Sequence, residues 1–130
     1  MATFVVDGGL GIVTNRIKGA GTEPLNIGWG TGAGTTARTD TTLFTEALVT
    51  LAGGTTDHTV GTSTQQTTTT TSDTYQVVGT RTATGAGTVT NAGLWDAASG
   101  GNLFLKGDFT GIGLASGDAI TLTIKAIFDN

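Results

Sequence analysis

From Ala119 to Phe128 the chain alternates without interruption. Ile120, Leu122, Ile124, Ala126 and Phe128 fall on one side, Thr121, Thr123 and Lys125 on the other. A period of two predicts a strand that covers a core with one face. Three more stretches read the same way, Thr74 to Thr84, Gly87 to Trp95 and Asn102 to Phe109, separated by Gly-, Ser- and Asp-containing turns. Between the last two, Ala97-Ala98-Ser99-Gly100-Gly101 predicts a hairpin loop longer than a two-residue turn, and therefore antiparallel neighbours. Near the start, Thr3-Phe4-Val5-Val6 is a short extended piece. Asp7 then stands where a helix N-cap would, ahead of Leu10, Val13 and Ile17 at helical spacing, and Gly19 is placed to end the helix. Gly8, Gly9 and Gly11 weaken that helix, each by about 1 kcal/mol relative to Ala.

The middle is less regular. Pro24 opens Leu25-Asn26-Ile27-Gly28-Trp29, which alternates as a strand, and Gly30-Thr31-Gly32-Ala33-Gly34 follows as a loop. Thr41 to Leu51 fits neither period. From Gly53 to Ser72 complexity falls, ending in Gln65-Gln66 and five threonines, Thr67 to Thr71, which predicts an exposed β-edge in preference to a mobile loop. No βαβ alternation is present. The predicted architecture is all-β, mainly an antiparallel β-sandwich with one short N-terminal helix. Residues 1–130 read as a single domain, with 1–24 as a docking arm plus the short helix.

Composition sharpens this picture. The 130 residues include 30 Thr and 22 Gly while only 12% are charged, so β-branched residues favour strands and glycine supplies turns. A net charge of −4 with six scattered Lys and Arg gives no footprint for a phosphate backbone, so no nucleic acid partner is expected. Without cysteine there is neither a disulfide nor a thiolate metal site. Asp7, Arg16 and Lys18 interrupt any signal-peptide core, and no stretch approaches membrane-spanning length, so no membrane partner and synthesis in a cytoplasm are expected.

Gly32-Ala33-Gly34-Thr35-Thr36-Ala37 satisfies a permissive GxGxxA pattern, but Arg38 to Thr42 opens no amphipathic helix to face a pyrophosphate, so a flexible loop is the better reading. His58, the only histidine, has Asp57 beside it but no GxSxG elbow in the chain, which makes it a solvated loop residue. The carboxylates, among them Asp7, Asp40, Asp73, Asp96, Asp108 and Asp118, sit singly in predicted turns, where Asp caps backbone amides. No DxDxDG loop appears, so no metal is expected; nor is any cofactor or catalytic residue, and the protein reads as a non-enzyme. Most aromatics, Trp29, Tyr75, Trp95, Phe104, Phe109 and Phe128, are predicted core. Phe4, Val5 and Val6 are the candidate partner interface, since an apolar cluster near a terminus suits docking onto a neighbouring subunit. An edge strand internal to the fold explains them equally well.

The C-terminal third, Val89-Thr90-Asn91-Ala92-Gly93-Leu94-Trp95-Asp96-Ala97, then Gly101-Asn102-Leu103-Phe104, then Ser116-Gly117-Asp118-Ala119-Ile120-Thr121-Leu122-Thr123-Ile124, resembles small bacteriophage virion structural proteins, namely capsid cement or decoration proteins and related tail-fibre modules. Gly28-Trp29-Gly30-Thr31-Gly32, Thr39-Asp40-Thr41-Thr42-Leu43 and Glu46 resemble the opening half of such proteins. Together these stretches span about half the chain; the segment from Gly61 to Thr74 has no counterpart in the pattern. The resemblance implies a virion component. The expected role is capsid cement on the outer face of the shell, self-associated as a homotrimer and bound to the major capsid protein. The alternative is a tail-fibre or baseplate component at the phage tail, serving as a connector or recognising a host surface.

Overall fold

The structure is a computed structural model, and it describes residues 3–47 and 58–128. Eight strands and one helix follow in the order β1 (Thr3–Val5), α1 (Asp7–Ile17), β2 (Asn26–Gly30), β3 (Thr59–Val60), β4 (Thr62–Gln66), β5 (Thr74–Thr82), β6 (Gly87–Trp95), β7 (Leu103–Leu114) and β8 (Ala119–Ile127). They form two antiparallel sheets packed as a sandwich, one of five strands in the order β1-β7-β6-β2-β3 and one of three in the order β4-β5-β8. The all-β sandwich with one short helix is thus as the patterning predicts.

The alternation in β8 is realised residue by residue. Ile120, Leu122, Ile124 and Ala126 turn inward while Thr121, Thr123 and Lys125 stay exposed. Inward side chains of both sheets make the core: Ile27, Val77, Leu94, Phe104, Leu105 and Ala126 toward the end that carries α1, and Trp29, Ala83, Val89 and Ala92 toward the other. Full burial of each large aliphatic or aromatic side chain contributes about 1.5–3 kcal/mol. At the end far from α1, the two connections that pass between sheets are tied together. Ala83 N–H donates to Asp118 O at 2.7 Å, Gly117 N–H donates to Ala83 O at 2.8 Å, and the Asp118 carboxylate accepts Ala115 N–H at 2.8 Å.

The helix is present, but its buried face differs from the expected one. Val6, not Asp7, is the N-cap, and Asp7 is the first helical residue, where its charge suits the positive end of the helix dipole. Gly9 and Ile12 are buried, whereas Leu10 and Ile17 are 58% and 80% exposed. The cause is Gly9: a Cβ there would lie 2.3 Å from the Phe104 carbonyl oxygen, so the missing side chain lets α1 rest directly on the β7 backbone. Of the three residues at helical spacing, Val13 packs against the core, while the close approach at Gly9 leaves Leu10 and Ile17 turned out.

A β-bulge sets the opposite faces of β7. Leu94 pairs with Leu105 but Trp95 with Leu103, so one extra residue, Phe104, is inserted. Leu103 consequently packs outward with Trp95, while Phe104 and Leu105 both enter the core between the sheets. β7 also runs past its predicted end at Phe109 to Leu114. Low-complexity Thr62–Gln66 forms the expected edge strand, but Thr67 to Thr71 do not continue it and instead turn back toward β5. Residues 48–57, including Asp57 and the end of the irregular stretch Thr41 to Leu51, lie outside the described residues.

Candidate functional site

Among the described residues, polar side chains gather on the outer face of the five-stranded sheet, at the Asp73 turn, in the clefts around α1 and, at Arg81, between the sheets. The outer face is covered by residues 31–47, which run across it as a strap. Beside β2, Thr31 N–H donates to Thr45 O, Gly32 N–H to Phe44 O and Ala47 N–H to Trp29 O, each at 3.0 Å. Glycines make the approach feasible, because a Cβ at Gly30 would lie 2.3 Å from Phe44 O and one at Gly34 would lie 2.7 Å from the Phe44 ring. The glycine run is therefore a packed seat and not the flexible loop expected from composition. Within the GxGxxA pattern the amides of Gly32, Thr36 and Ala37 are already bonded inside the protein, to Phe44 O, Asp108 and Asp40, and so are not offered to a phosphate.

Two buried side chains on that face fasten the strap. Asn91 on β6 accepts the Phe44 N–H at 3.0 Å and donates to the Phe44 carbonyl at 3.1 Å, engaging both backbone polar groups of one residue. Lys106 on β7 donates to Asp40 Oδ2 and to Thr42 O, both at 2.9 Å, and its ammonium lies 3.2 Å from the Phe44 ring centroid. Two acceptors and an aromatic face compensate a cation that burial would otherwise penalise. The Asp40 carboxyl is held below the usual carboxylate range by the Ala37 N–H and then by Lys106, against the opposing effect of its partial burial.

His58 is the main correction to the sequence reading. It is only 2% exposed, not a solvated loop residue. Its ring stacks on Trp95 with centroids 4.8 Å apart, Nδ1 lies 2.8 Å from Ala97 O, and Nε2 lies 2.7 Å from Glu46 Oε1. A carbonyl oxygen only accepts, so Nδ1 is the donor to Ala97 O, while Nε2 faces the Glu46 carboxyl. Gly28 between them leaves the room, since a Cβ there would lie 3.0 Å from both Glu46 Oε1 and Trp95 Nε1. With both nitrogens engaged and the ring enclosed, His58 joins β3, the strap and the β6–β7 loop and presents no free base to a substrate.

Asp73 closes the threonine turn. Its carboxylate accepts the N–H groups of Thr68, Thr69 and Thr70 at 2.8, 2.8 and 2.7 Å and the Thr74 hydroxyl at 2.7 Å. These bonds favour the charged form and hold its pKa well below the usual carboxylate value. Asp96, accepting Asn102 N–H at 2.6 Å, and Asp118, capping its own bend, are turn residues as predicted, whereas Asp7 opens α1 and Asp108 lies within β7, where it accepts the Thr36 N–H. Between the sheets, buried Arg81 on β5 donates to the Ile27 carbonyl and lies 5.1 Å over the Trp29 ring. Among the described residues no group of three His, Asp or Glu side chains is placed to hold a metal ion, and no helix is long and apolar enough to cross a membrane.

The three residues predicted as a partner interface separate in the structure. β1 pairs with β7 as the edge of the larger sheet; Val6 is buried against Leu43, Trp95 and Leu103, Val5 is half-buried, and Phe4 is 39% exposed. Phe4, Leu10, Arg38, Lys125 and Ile127 line a cleft of about 330 Å³ where the edges β1 and β8 face each other. A second region lies at the α1 end. Tyr75 there presents its hydroxyl to Glu23 Oε1 and Pro24 O, both at 3.1 Å, and burial together with the Glu23 carboxylate pushes its pKa up. Phe128, expected in the core, is 54% exposed beside Tyr75 and Glu23, because β8 ends at Ile127 and Phe128 N–H bonds instead to Asp73 O at 2.8 Å.

Sequence reasoning missed Glu46, Asn91, Arg81 and Lys106. One signal was available: Trp95 and Leu103 are apolar at outward positions, which an uncovered sheet face would not favour. Fold and site together define a small antiparallel sandwich whose ionisable side chains mostly brace the structure from within. Comparison with protein-family models, with curated proteins and with solved structures found no match.

Proposed function

We propose that this chain is a bacteriophage virion structural protein, a capsid cement or decoration protein that binds the major capsid protein on the outside of the assembled shell. The observation that carries the docking role is the grouping of exposed apolar side chains, Phe4, Leu10 and Ile127, along one side of a sandwich braced internally by Lys106, His58 and Arg81. Solvent-exposed apolar groups that cluster are a property of interaction surfaces, and a pre-formed scaffold loses little conformational entropy on docking. The resemblance carried by Gly93-Leu94-Trp95-Asp96 and Gly117-Asp118 supplies the virion context. In this reading the protein has no catalytic task and self-associates as a homotrimer, which multiplies weak contacts over a symmetric lattice.

Purified protein added to shells that lack it is expected to bind at a fixed number per capsomer and to raise their resistance to heat. Absence of both effects rules the cement role out. A tail-fibre or baseplate role is the second reading, favoured by the exposed ring of Phe128, which suits recognition of an external surface. Immunogold label on the tail instead of the shell would select it.

A further inference from the structure

The cleft at the α1 end differs in chemistry from the apolar side of the sandwich. It encloses about 570 Å³ between the Glu23 segment, β4 and the Asp73 turn, and it adjoins an apolar hollow of about 500 Å³ under α1. Glu23, Tyr75 and Phe128 line both, so the two meet along one wall. We propose that this cleft is a binding site for an uncharged saccharide.

A sugar ring presents an apolar C–H face and a rim of hydroxyls that donate and accept. Its recognition needs an aromatic ring for the face, and fixed acceptors and donors for the rim. Phe128 supplies the ring: its side chain is more than half exposed while its backbone is pinned by the bond to Asp73 O. Glu23 supplies an acceptor held in place, because the Tyr75 hydroxyl engages Oε1 and leaves the other carboxylate oxygen without a protein partner among the described residues. Gln65 adds an amide that likewise has no protein partner there, and Ser63 and Thr71 add hydroxyls on the same lining. A few convergent polar groups beside an aromatic wall are what orient a small ligand in a pre-formed cleft.

The same residues exclude other ligand classes. The carboxylates of Glu23 and Asp73 outnumber Arg16, the cation on the wall of the adjoining hollow, and so disfavour phosphates and acidic sugars. A metal cation finds little, since the Asp73 carboxylate is filled by three backbone N–H groups and the Thr74 hydroxyl. This inference does not depend on where the protein sits in a particle.

The test is a titration of the intact, 15N-labelled protein with galactose, glucose, N-acetylglucosamine and maltose, and with N-acetylneuraminic acid as the acidic counterpart. At least one neutral sugar is expected to give saturable shifts at Gln65, Thr70 to Tyr75 and Phe128, with a Kd of about 1–10 mM. Phe128→Ala, at an exposed position outside the core, is expected to weaken that binding about fivefold, and Glu23→Gln by a similar factor, with thermal melting of Phe128→Ala unchanged. Absence of saturable shifts at about 50 mM for every neutral sugar overturns the proposal, 50 mM being well above the expected Kd. So does binding that Phe128→Ala leaves intact, or tighter binding of the acidic sugar than of any neutral one.

Discussion

His58, Lys106 and Asp73 each show a charged or ionisable group used as a fastener, and each makes a distinct prediction. His58→Ala removes a stacked ring and two hydrogen bonds and leaves Glu46 and Ala97 O without their partner. It is expected to lower unfolding free energy by about 2–4 kcal/mol in chemical denaturation. For the Lys106–Asp40 pair the order of two variants is diagnostic. Asp40→Ala strands a buried ammonium and is expected to cost about 3–5 kcal/mol, whereas Lys106→Met, which fills the same space without charge, costs less. Equal losses would show that the pair is not electrostatically enclosed. Asp73 concerns acid. Its folded pKa lies below the ordinary value of 3.8, so its contribution is complete above that value and is lost as pH falls below it. Stability measured from pH 5 downward is expected to fall less steeply for Asp73→Asn than for the natural chain, at the expense of lower stability near neutrality.

At the scale of elements, the regular parts were legible and the strap was not. In β8 each residue obeys its own period, so a local rule sufficed, and Gly19, at φ +83°, ends the helix as its type predicts. Residues 43–47 obey no period because their conformation is dictated from elsewhere, by Asn91 at Phe44 and by the edge of β2 at Ala47. His58 was misread for the same reason: its burial depends on Glu46 and Ala97, partners that sequence adjacency does not reveal. The side of α1 that meets the sheet was not legible, because a glycine contact leaves no hydrophobic mark in the chain. A pair of substitutions isolates that contact. Gly11→Ala, with nothing within 4 Å, is expected to stabilise by up to about 1 kcal/mol. Gly9→Ala drives a methyl group into the Phe104 carbonyl and is expected to destabilise despite the same gain in helix propensity. Thermal melts of the two single variants should move in opposite directions.

For the whole molecule, internal bracing and outward apolar groups divide the labour. The sheets are joined through Arg81 and the paired connections at one end, so the exposed side chains of the β1–β8 side are not needed to hold the fold. Phe4→Ser and Ile127→Ser, singly and together, are therefore expected to leave melting within about 1 kcal/mol of the natural chain. If the proposed docking surface is correct, the same variants reduce occupancy on shells about tenfold or more, measured by sedimentation of decorated particles. Loss of shell binding with melting preserved distinguishes a contact from a structural support.

Thr3 and Ile127 line one cleft, so the two ends of the described chain emerge beside each other. Both residues lie on the side that carries Phe4. If that side faces the shell, as proposed, bulk attached beside Thr3 or Ile127 obstructs docking, whereas an insertion between Leu114 and Ala119 leaves that side clear but breaks the Ala83–Asp118 and Gly117–Ala83 bonds that tie the two connections together.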